Sequence, residues 1–195
     1  MAKKKELEVI NLPQLNIQVC TIKLVGDTSL IVHRWSEKAK EEIRSKQAKK
    51  AKQAKAARDP QADFVASLYP LPDGGYGFPT IGIKACAVGA CSHVEGVTKV
   101  LARGAFHVNT EMTRILPEDI EPQMREDMVR IGMGVADLRY RGEFTDWHMT
   151  LEVRYNANAI SEDQIRNLFN TAGFAIGIGE WRPQKNGLHG MFHVE

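Results

Sequence analysis

Residues 147–155 read WHMTLEVRY, and in this stretch large apolar residues alternate strictly with polar ones. One side would carry Trp147, Met149, Leu151, Val153 and Tyr155. A repeat of two residues is typical of a strand with one buried face. The stretch therefore predicts a half-buried β-strand.

The residues after this strand predict a helix and a second strand. Ser161 and Gln164 have the spacing of a capping box, and apolar residues recur at helical intervals from Ile165 to Ala172. We expect Gly173 to end the helix in the left-handed conformation, and residues 174–178 to form a strand.

This order of elements predicts an α+β fold with a ferredoxin-like antiparallel sheet. Strand, helix, strand, glycine-rich loop and a short strand at 191–194 make up half of a split βαβ sheet, with helices on one face and the other face open to a ligand. Apolar patterning predicts further strands at 17–25, 29–33, 97–108 and 113–116 and a buried helix at 80–93. The apolar phase of the first strand changes near Cys20, which predicts a bulge or burial on both faces.

The loop that follows the helix combines glycines with cations and an aromatic ring. Backbone that a ligand can approach closely would lie beside Trp181, Arg182, Lys185 and His189, groups that hold phosphate and stack a base. A hairpin turned by Asn-Gly at 186–187, with Trp181 in the core, explains the same residues, and both interpretations stay open. The glycines of this segment are Gly173, Gly177, Gly179, Gly187 and Gly190.

Two segments resemble a known family. The sequence AGFAIGIG at 172–179, continuing to Gly190, resembles the C-terminal glycine-rich loop of the RAMP superfamily, the RNA-binding ferredoxin-like proteins of CRISPR complexes. Residues 78–87, FPTIGIKACA, are similar to the segment that opens a helix in the backbone subunits of that superfamily, although its Ser-Ser pair is replaced by a glycine and an isoleucine. The chain as a whole also resembles a family of uncharacterised bacteriophage and prophage proteins. The resemblance implies one RAMP-like domain over residues 1–195 and places Lys84 near nucleic acid; the residues alone leave open whether Lys84 reaches from the core to solvent or points at a ligand.

The length and amino-acid composition limit which class the protein can belong to. A chain of 195 residues with 43% hydrophobic and 26% charged residues is of a size and composition typical of one globular domain. No apolar run approaches a membrane span and the start lacks a signal-peptide core, so we expect a cytoplasmic protein without a membrane partner, in the host bacterium if it is phage-encoded. Three cysteines are expected to be reduced, and Cys86, Cys91 and His93 lack a recognised metal-ligand spacing. We expect no metal and no cofactor.

The positive charge is concentrated in one segment. The formal net charge is only +2, yet ten basic and three acidic residues lie between Arg34 and Arg58. Residues 36–59 predict a long, alanine-rich basic helix with almost no apolar stripe. It is either a solvated helix or an arm whose lysines follow phosphates, and we favour the arm. Its candidate contacts are Arg34, Lys46, Lys49, Lys50, Lys52 and Lys55.

Residues 128–145 predict a flexible hairpin that could bind RNA or single-stranded DNA. Glycines there flank Arg139, Tyr140 and Arg141, as in segments that contact single strands. Pairing of these arginines with nearby carboxylates at the protein surface is an equally good interpretation.

The sequence favours a binding protein over an enzyme. His189 beside Lys185 and Arg182 is the best candidate for histidine-dependent RNA cleavage, but no nucleophile elbow, P-loop or metal-binding carboxylate pair is present. We predict a largely sequence-independent binder of RNA or single-stranded DNA that forms a homo-oligomer or filament of adjacent copies. The alternatives are a RAMP-type ribonuclease and an anti-CRISPR or structural protein that imitates a CRISPR backbone subunit and engages a CRISPR complex.

Overall fold

The computed structural model describes residues 12–48, 58–132 and 134–195. Its strands are β1 (Ile17–Gly26), β2 (Leu30–Val32), β3 (Gly77–Pro79), β4 (Phe106–Val108), β5 (Met112–Arg114), β6 (Gln123–Ile131), β7 (Val135–Phe144), β8 (His148–Asn156) and β9 (Phe192–Val194). Its helices are α1 (Glu37–Gln47), α2 (Pro60–Ser67), α3 (Thr80–Ala90), α4 (Lys99–Ala105) and α5 (Glu162–Ala175).

The central sheet has four antiparallel strands in the order β4-β8-β1-β9. With α3 between β1 and β4 and α5 between β8 and β9, this is the βαββαβ order of a ferredoxin-like fold. The predicted α+β, ferredoxin-like fold class is confirmed. The predicted strand at 147–155 is confirmed as β8, whose residues Met149, Leu151 and Val153 are buried.

Both sheet-spanning helices lie on one face of the central sheet. Ile22 and Leu24 of β1 are buried in the same cluster as Ile83 of α3 and Phe169 of α5. The Ser161 and Gln164 capping box is present at the start of α5, as predicted. Burial of these apolar stripes removes their surface from water and stabilises the fold by roughly 25 cal/mol per Å².

The expected irregularity in the first strand is wrong. Pairing between β1 and β8 is continuous from Ile17–Asn156 to Val25–His148, so no residue bulges. Burial alternates as well, because Cys20 is buried while Val19 is 56% exposed. The apolar residues on the other face of β1 are exposed to solvent.

A hairpin and a short strand form a second sheet beside the first. Its order is β2-β7-β6, and α2 packs against β7. Gly142 of β7 lies under Leu68, where a Cβ atom would overlap the leucine side chain, and its N–H donates to Ser67 Oγ at 2.9 Å. The predicted hairpin is present and extends further back than expected, to Gln123.

The predicted end of the helix at Gly173 and the strand at 174–178 are both wrong. Helix α5 continues to Ala175, and Gly177 rather than Gly173 takes the left-handed conformation, with φ of 68°. At Gly173 a Cβ atom would overlap the carbonyl group of Phe192 in β9. The glycine therefore allows strand and helix to approach, which outweighs its low helix propensity.

Other boundaries also differ from expectation. Residues 99–105 form helix α4 instead of part of a strand, because the Thr98 side chain caps it by accepting from Leu101 N at 3.1 Å. The buried helix α3 ends at Ala90 rather than at 93. Helix α1 is confirmed to Gln47, and residues 49–57 of the predicted basic helix lie outside the described residues.

Within the part of the chain that the structure describes, no helix has the length and hydropathy needed to cross a membrane. The same residues contain no cluster of three or more histidine, cysteine or acidic side chains placed to hold a metal ion.

Candidate nucleic-acid interface

The glycine-rich loop, residues 176–191, is fixed against β2 by main-chain hydrogen bonds. Glu180 N donates to Ile31 O at 2.9 Å, and Gly190 N donates to Ser29 O at 2.8 Å. Within the loop, Ile178 N donates to Gly190 O at 2.9 Å, which joins its two ends. The segment is thus an ordered extension of the second sheet.

Internal packing accounts for the glycines of this loop. A Cβ atom at Gly179 would lie 2.9 Å from the side chain of Leu30, and one at Gly190 would overlap the carbonyl oxygen of Ile178. At Gly187 it would overlap the backbone of Trp181. The glycines therefore let the loop fold onto itself and onto β2, a role that the sequence interpretation of a phosphate-approaching backbone did not include.

The loop contains no Asn-Gly hairpin. Pro183–Lys185 form a single 3₁₀ turn that ends at Asn186 with φ of 60°. Trp181, expected in the core under the hairpin interpretation, is 37% exposed and has φ of 52°. A non-glycine residue in this conformation is uncommon and is held here by the surrounding backbone contacts.

Three side chains of the loop differ in orientation. Trp181 and Lys185 are exposed, whereas Arg182 turns inward. Arg182 Nη1 donates to Gly179 O at 2.8 Å, and Nε donates to Gln184 Oε1 at 3.2 Å. Arg182 therefore closes the loop, and Trp181 and Lys185 are exposed to solvent.

His189 is held by β2 and the hairpin. Ser29 Oγ donates to Glu143 Oε1 at 2.5 Å and lies 2.9 Å from His189 Nδ1. Since the hydroxyl hydrogen is used toward Glu143, the serine oxygen accepts from Nδ1–H of the imidazole. His189 is thereby fixed in one tautomer, with Nε2 as the ring nitrogen available to other groups.

A buried ion-pair network joins the hairpin to the loop. Arg141 Nη1 lies 3.2 Å from Asp127 Oδ2, and its Nη2 lies 3.9 Å from Glu180 Oε2. Arg125 contacts Asp127 at 2.8 Å and Glu143 at 3.3 Å. The pairing of hairpin arginines with neighbouring carboxylates, one of the two interpretations of the sequence, is what the structure contains.

This network pairs carboxylates beside the glycine-rich loop with cations. Glu143 is engaged by Arg125 and Ser29, and Glu180 lies between Arg141 and His33, whose Nδ1 is 3.8 Å away. Burial and then the charge of Arg141 lower the pKa of His33, with Glu180 acting in the opposite direction. The acidic groups nearest the loop are thus compensated by buried or half-buried cations.

Arg141 itself is buried, with only 6% of its surface exposed. Its Nε is a buried side-chain nitrogen without a hydrogen-bond partner among the described residues. In this conformation Arg141 supports the loop through Glu180 and does not present its guanidinium to solvent.

Trp35 is a candidate that the sequence interpretation missed. It follows Arg34 just beyond β2 and is 58% exposed. His33, two residues before Trp35, lies 3.8 Å from Glu180, which precedes Trp181, so the two segments that carry the exposed tryptophans meet at this contact. The available signal was a tryptophan placed directly after a short apolar strand and next to an arginine.

The predicted hairpin contacts lie along the same sheet but are already engaged. Arg139 Nε contacts Asp137 at 3.0 Å. The Arg58 guanidinium lies 5.8 Å from the ring centroid of Tyr140 and also contacts Asp137 at 2.6 Å. The hydrogen bond from Arg58 holds the pKa of Asp137 below its ordinary value.

Not every predicted nucleic-acid contact lies near the glycine-rich loop. Lys84 lies near β4, at the opposite edge of the central sheet from β9, and its Nζ is 2.9 Å from Arg103 O and 3.0 Å from His107 Nδ1. Lys46 is exposed on α1. The predicted contacts Lys49, Lys50, Lys52 and Lys55 lie outside the described residues.

No protein-family model matches the chain, and no curated protein matches it. Among solved structures, the crystal structure of Cmr6 from Pyrococcus furiosus is similar, with 11% sequence identity and a TM-score of 0.47. The similarity covers 93% of this chain and 100% of that one.

Proposed function

We propose that this protein binds RNA or single-stranded DNA, with little sequence preference, on the edge formed by the glycine-rich loop and the end of β2. The observation that carries the proposal is a loop, held to β2 by main-chain hydrogen bonds, that exposes Trp181 and Lys185, together with the half-buried Arg34 and the exposed Trp35 just after β2. Aromatic rings that stack on bases and cations that follow phosphates are the two components of sequence-tolerant single-strand binding.

Local charge supports the same conclusion. Two carboxylates beside the loop, Glu143 and Glu180, lie 3.3 Å from Arg125 and 3.9 Å from Arg141, so they repel a polyanion less than unpaired carboxylates would. Lys185, by contrast, is exposed and forms no ion pair with another described residue. The resemblance of the loop to those of RAMP proteins is in agreement. Under this proposal adjacent copies occupy one strand side by side.

The direct test is fluorescence anisotropy with labelled oligo(U) and oligo(dT) of ~20 nucleotides, titrated with purified protein between about 50 and 200 mM salt. We expect a steep loss of affinity with salt. Lys185→Ala should reduce the slope of log K against log salt by about 0.7, as expected for one phosphate contact on a single strand. The matched control is Lys99→Ala, which removes an exposed lysine from α4 and should leave the slope unchanged. Absence of binding to both oligonucleotides at low salt would refute the function.

A second candidate function, cleavage of RNA, is favoured by the fixed tautomer of His189. Its Nδ1 is held by Ser29, which leaves Nε2 able to accept a proton from a ribose hydroxyl. Cleavage of labelled RNA that is lost in His189→Ala and absent with DNA would support this candidate. Intact RNA after prolonged incubation would exclude it.

A further inference from the structure

A groove between α3 and α4 lies away from the glycine-rich loop. It has a volume of about 320 Å³ and is lined on the α3 side by Ile81, Ala85 and Val88, and on the α4 side by Lys99 and Arg103. Because α4 leads into β4, the groove lies near the edge of the central sheet opposite β9. No residue of the proposed nucleic-acid interface lines it.

The charge of the groove has one sign. Its lining contains three cations and no carboxylate. Lys84 is engaged by the Arg103 carbonyl and His107, but Lys99 and Arg103 are exposed and form no ion pair with another described residue. These two residues are four apart on one helix, so their charges lie along the same rim. Lys99 and Arg103 are therefore two unpaired cations that a negatively charged partner could contact.

The groove also has an apolar side that is exposed to solvent. Ile81, in the first turn of α3, is 80% exposed, and Ala85 follows it one turn later. Covering an isoleucine of this exposure stabilises a complex, since burial of such a side chain is a main source of interface free energy. The combination of an apolar stripe and a cationic rim is typical of grooves that receive amphipathic helices.

We propose that this groove is a docking site for an acidic amphipathic helix of a partner protein, whose apolar side covers Ile81 and Ala85 and whose carboxylates face Lys99 and Arg103. Nucleic acid fits less well, because no aromatic side chain lines the groove for stacking and a phosphate backbone would leave Ile81 in water. This surface is separate from the proposed nucleic-acid interface, so the two can be occupied together.

The test uses a synthetic helical peptide of ~18 residues with leucines on one face and glutamates on the other, a length that forms about five turns. Control peptides keep the leucines and replace the glutamates by glutamine or lysine. Binding is followed by anisotropy and by ¹H–¹⁵N chemical shifts of the full chain. We expect saturable binding of the acidic peptide alone, with shifts concentrated at residues 81–89 and 99–103.

Variants locate the binding. Lys99→Glu/Arg103→Glu should weaken the acidic peptide about tenfold or more, and should instead favour the lysine peptide. Ile81→Ala should weaken the acidic peptide severalfold. The matched controls are Lys46→Glu and Val65→Ala, an exposed lysine and an exposed valine on other helices, and both should bind as the wild type does.

Each other outcome overturns the proposal. Failure of the acidic peptide to bind, or equal binding by the double variant, would show that the groove is not its site. Shifts of the same amides by oligo(dT) would assign the groove to nucleic acid, and concentration-dependent shifts without any ligand would assign it to a second copy of this chain. Oligonucleotide affinity of Lys99→Glu/Arg103→Glu, measured in parallel, reports separately on the proposed function and is expected to match the wild type.

Discussion

The Ser29 hydroxyl lies 2.9 Å from Nδ1 of His189 and so joins the strand β2 to the far end of the glycine-rich loop. The same hydroxyl donates to Glu143 of the hairpin at 2.5 Å. One short side chain thus connects three segments that are distant in sequence. We expect its removal to weaken the packing of all three.

Ser29→Ala removes the acceptor of His189 Nδ1–H and the donor to Glu143 together. We expect a loss of about 1–2 kcal/mol in the free energy of unfolding, because two partly buried polar groups lose a partner. Urea unfolding followed by circular dichroism measures it. Ser45→Ala is the control: its hydroxyl, on α1, is 3.5 Å from Glu41, and its removal should cost less than about 0.5 kcal/mol. Equal costs in the two variants would show that the Ser29 contacts contribute nothing specific.

Arg141→Met tests the buried ion pair with Asp127. The substitution keeps an unbranched aliphatic side chain and removes the guanidinium, so Asp127 stays buried with Arg125 as its remaining partner. We expect a loss of about 2–3 kcal/mol, below the usual cost of a fully unpaired buried charge because Arg125 remains. Arg139→Met, which breaks a more exposed pair in the same strand, should cost less than about 1 kcal/mol. A small effect of Arg141→Met would mean that the network does not hold the hairpin to the loop.

The sequence predicted those parts of the fold that local signals determine. The alternation at 147–155 and the capping box at Ser161 each depend on neighbouring residues, and both were confirmed. Gly173 was misassigned because its role depends on Phe192, a contact made through the tertiary structure. The strand predicted at 97–108 is present only at 106–108, as β4; residues 99–105 are helical because Ala102 and Ala105 are buried and the Thr98 cap outweighs the weak strand pattern.

The candidate site was predictable in part. The cations and tryptophan of the loop are visible in the sequence, but the inward pairing of Glu180 with Arg141 joins residues of two separate segments and has no local signature. The burial of Arg141 changes its role from a ligand contact to a support of the loop. Trp35 was overlooked because exposure of a single tryptophan cannot be deduced from its neighbours.

Gly190→Ala tests whether packing requires the glycines of the loop. Gly190 has φ of 67°, and an added Cβ atom would overlap the Ile178 carbonyl oxygen. We expect a loss of about 2–5 kcal/mol in unfolding free energy, from the left-handed backbone together with the steric overlap. Gly132→Ala is the control, since Gly132 has φ of 58° with no heavy atom within 4 Å of its Cβ position, and only the backbone cost of about 1–2 kcal/mol applies. Similar losses in both variants would show that the loop can relax around the added methyl group.

Trp35→Ala tests the aromatic residue that the structure adds to the proposed interface. Loss of one stacking platform should weaken oligo(dT) binding by about 1–3 kcal/mol without changing its salt dependence, because no phosphate contact is removed. Anisotropy measured at several salt concentrations separates a loss of stacking from a loss of phosphate contacts. Ile81→Ala serves as the control, since it shortens an exposed apolar side chain near the opposite sheet edge and should leave affinity unchanged. Wild-type affinity in Trp35→Ala would remove Trp35 from the interface while leaving Trp181 to be tested separately.

Cys86 should give the protein a measurable loss of stability at alkaline pH. Burial raises the pKa of this thiol to about 12 in the folded protein, and its Sγ contacts Ala172 O at 3.5 Å. The pKa of an unfolded cysteine thiol is near its ordinary value of 9.0, so above that pH the unfolded state binds fewer protons than the folded state. The contribution of Cys86 is therefore complete below pH 9.0 and decreases by about 1.4 kcal/mol per pH unit as the pH rises toward the folded pKa. Urea unfolding of the wild type and of Cys86→Ala, compared at several pH values above 9.0, isolates this contribution from those of the other groups that titrate at high pH. We expect the stability difference between the two proteins to shrink as pH rises, and a difference independent of pH would contradict the burial of the thiol.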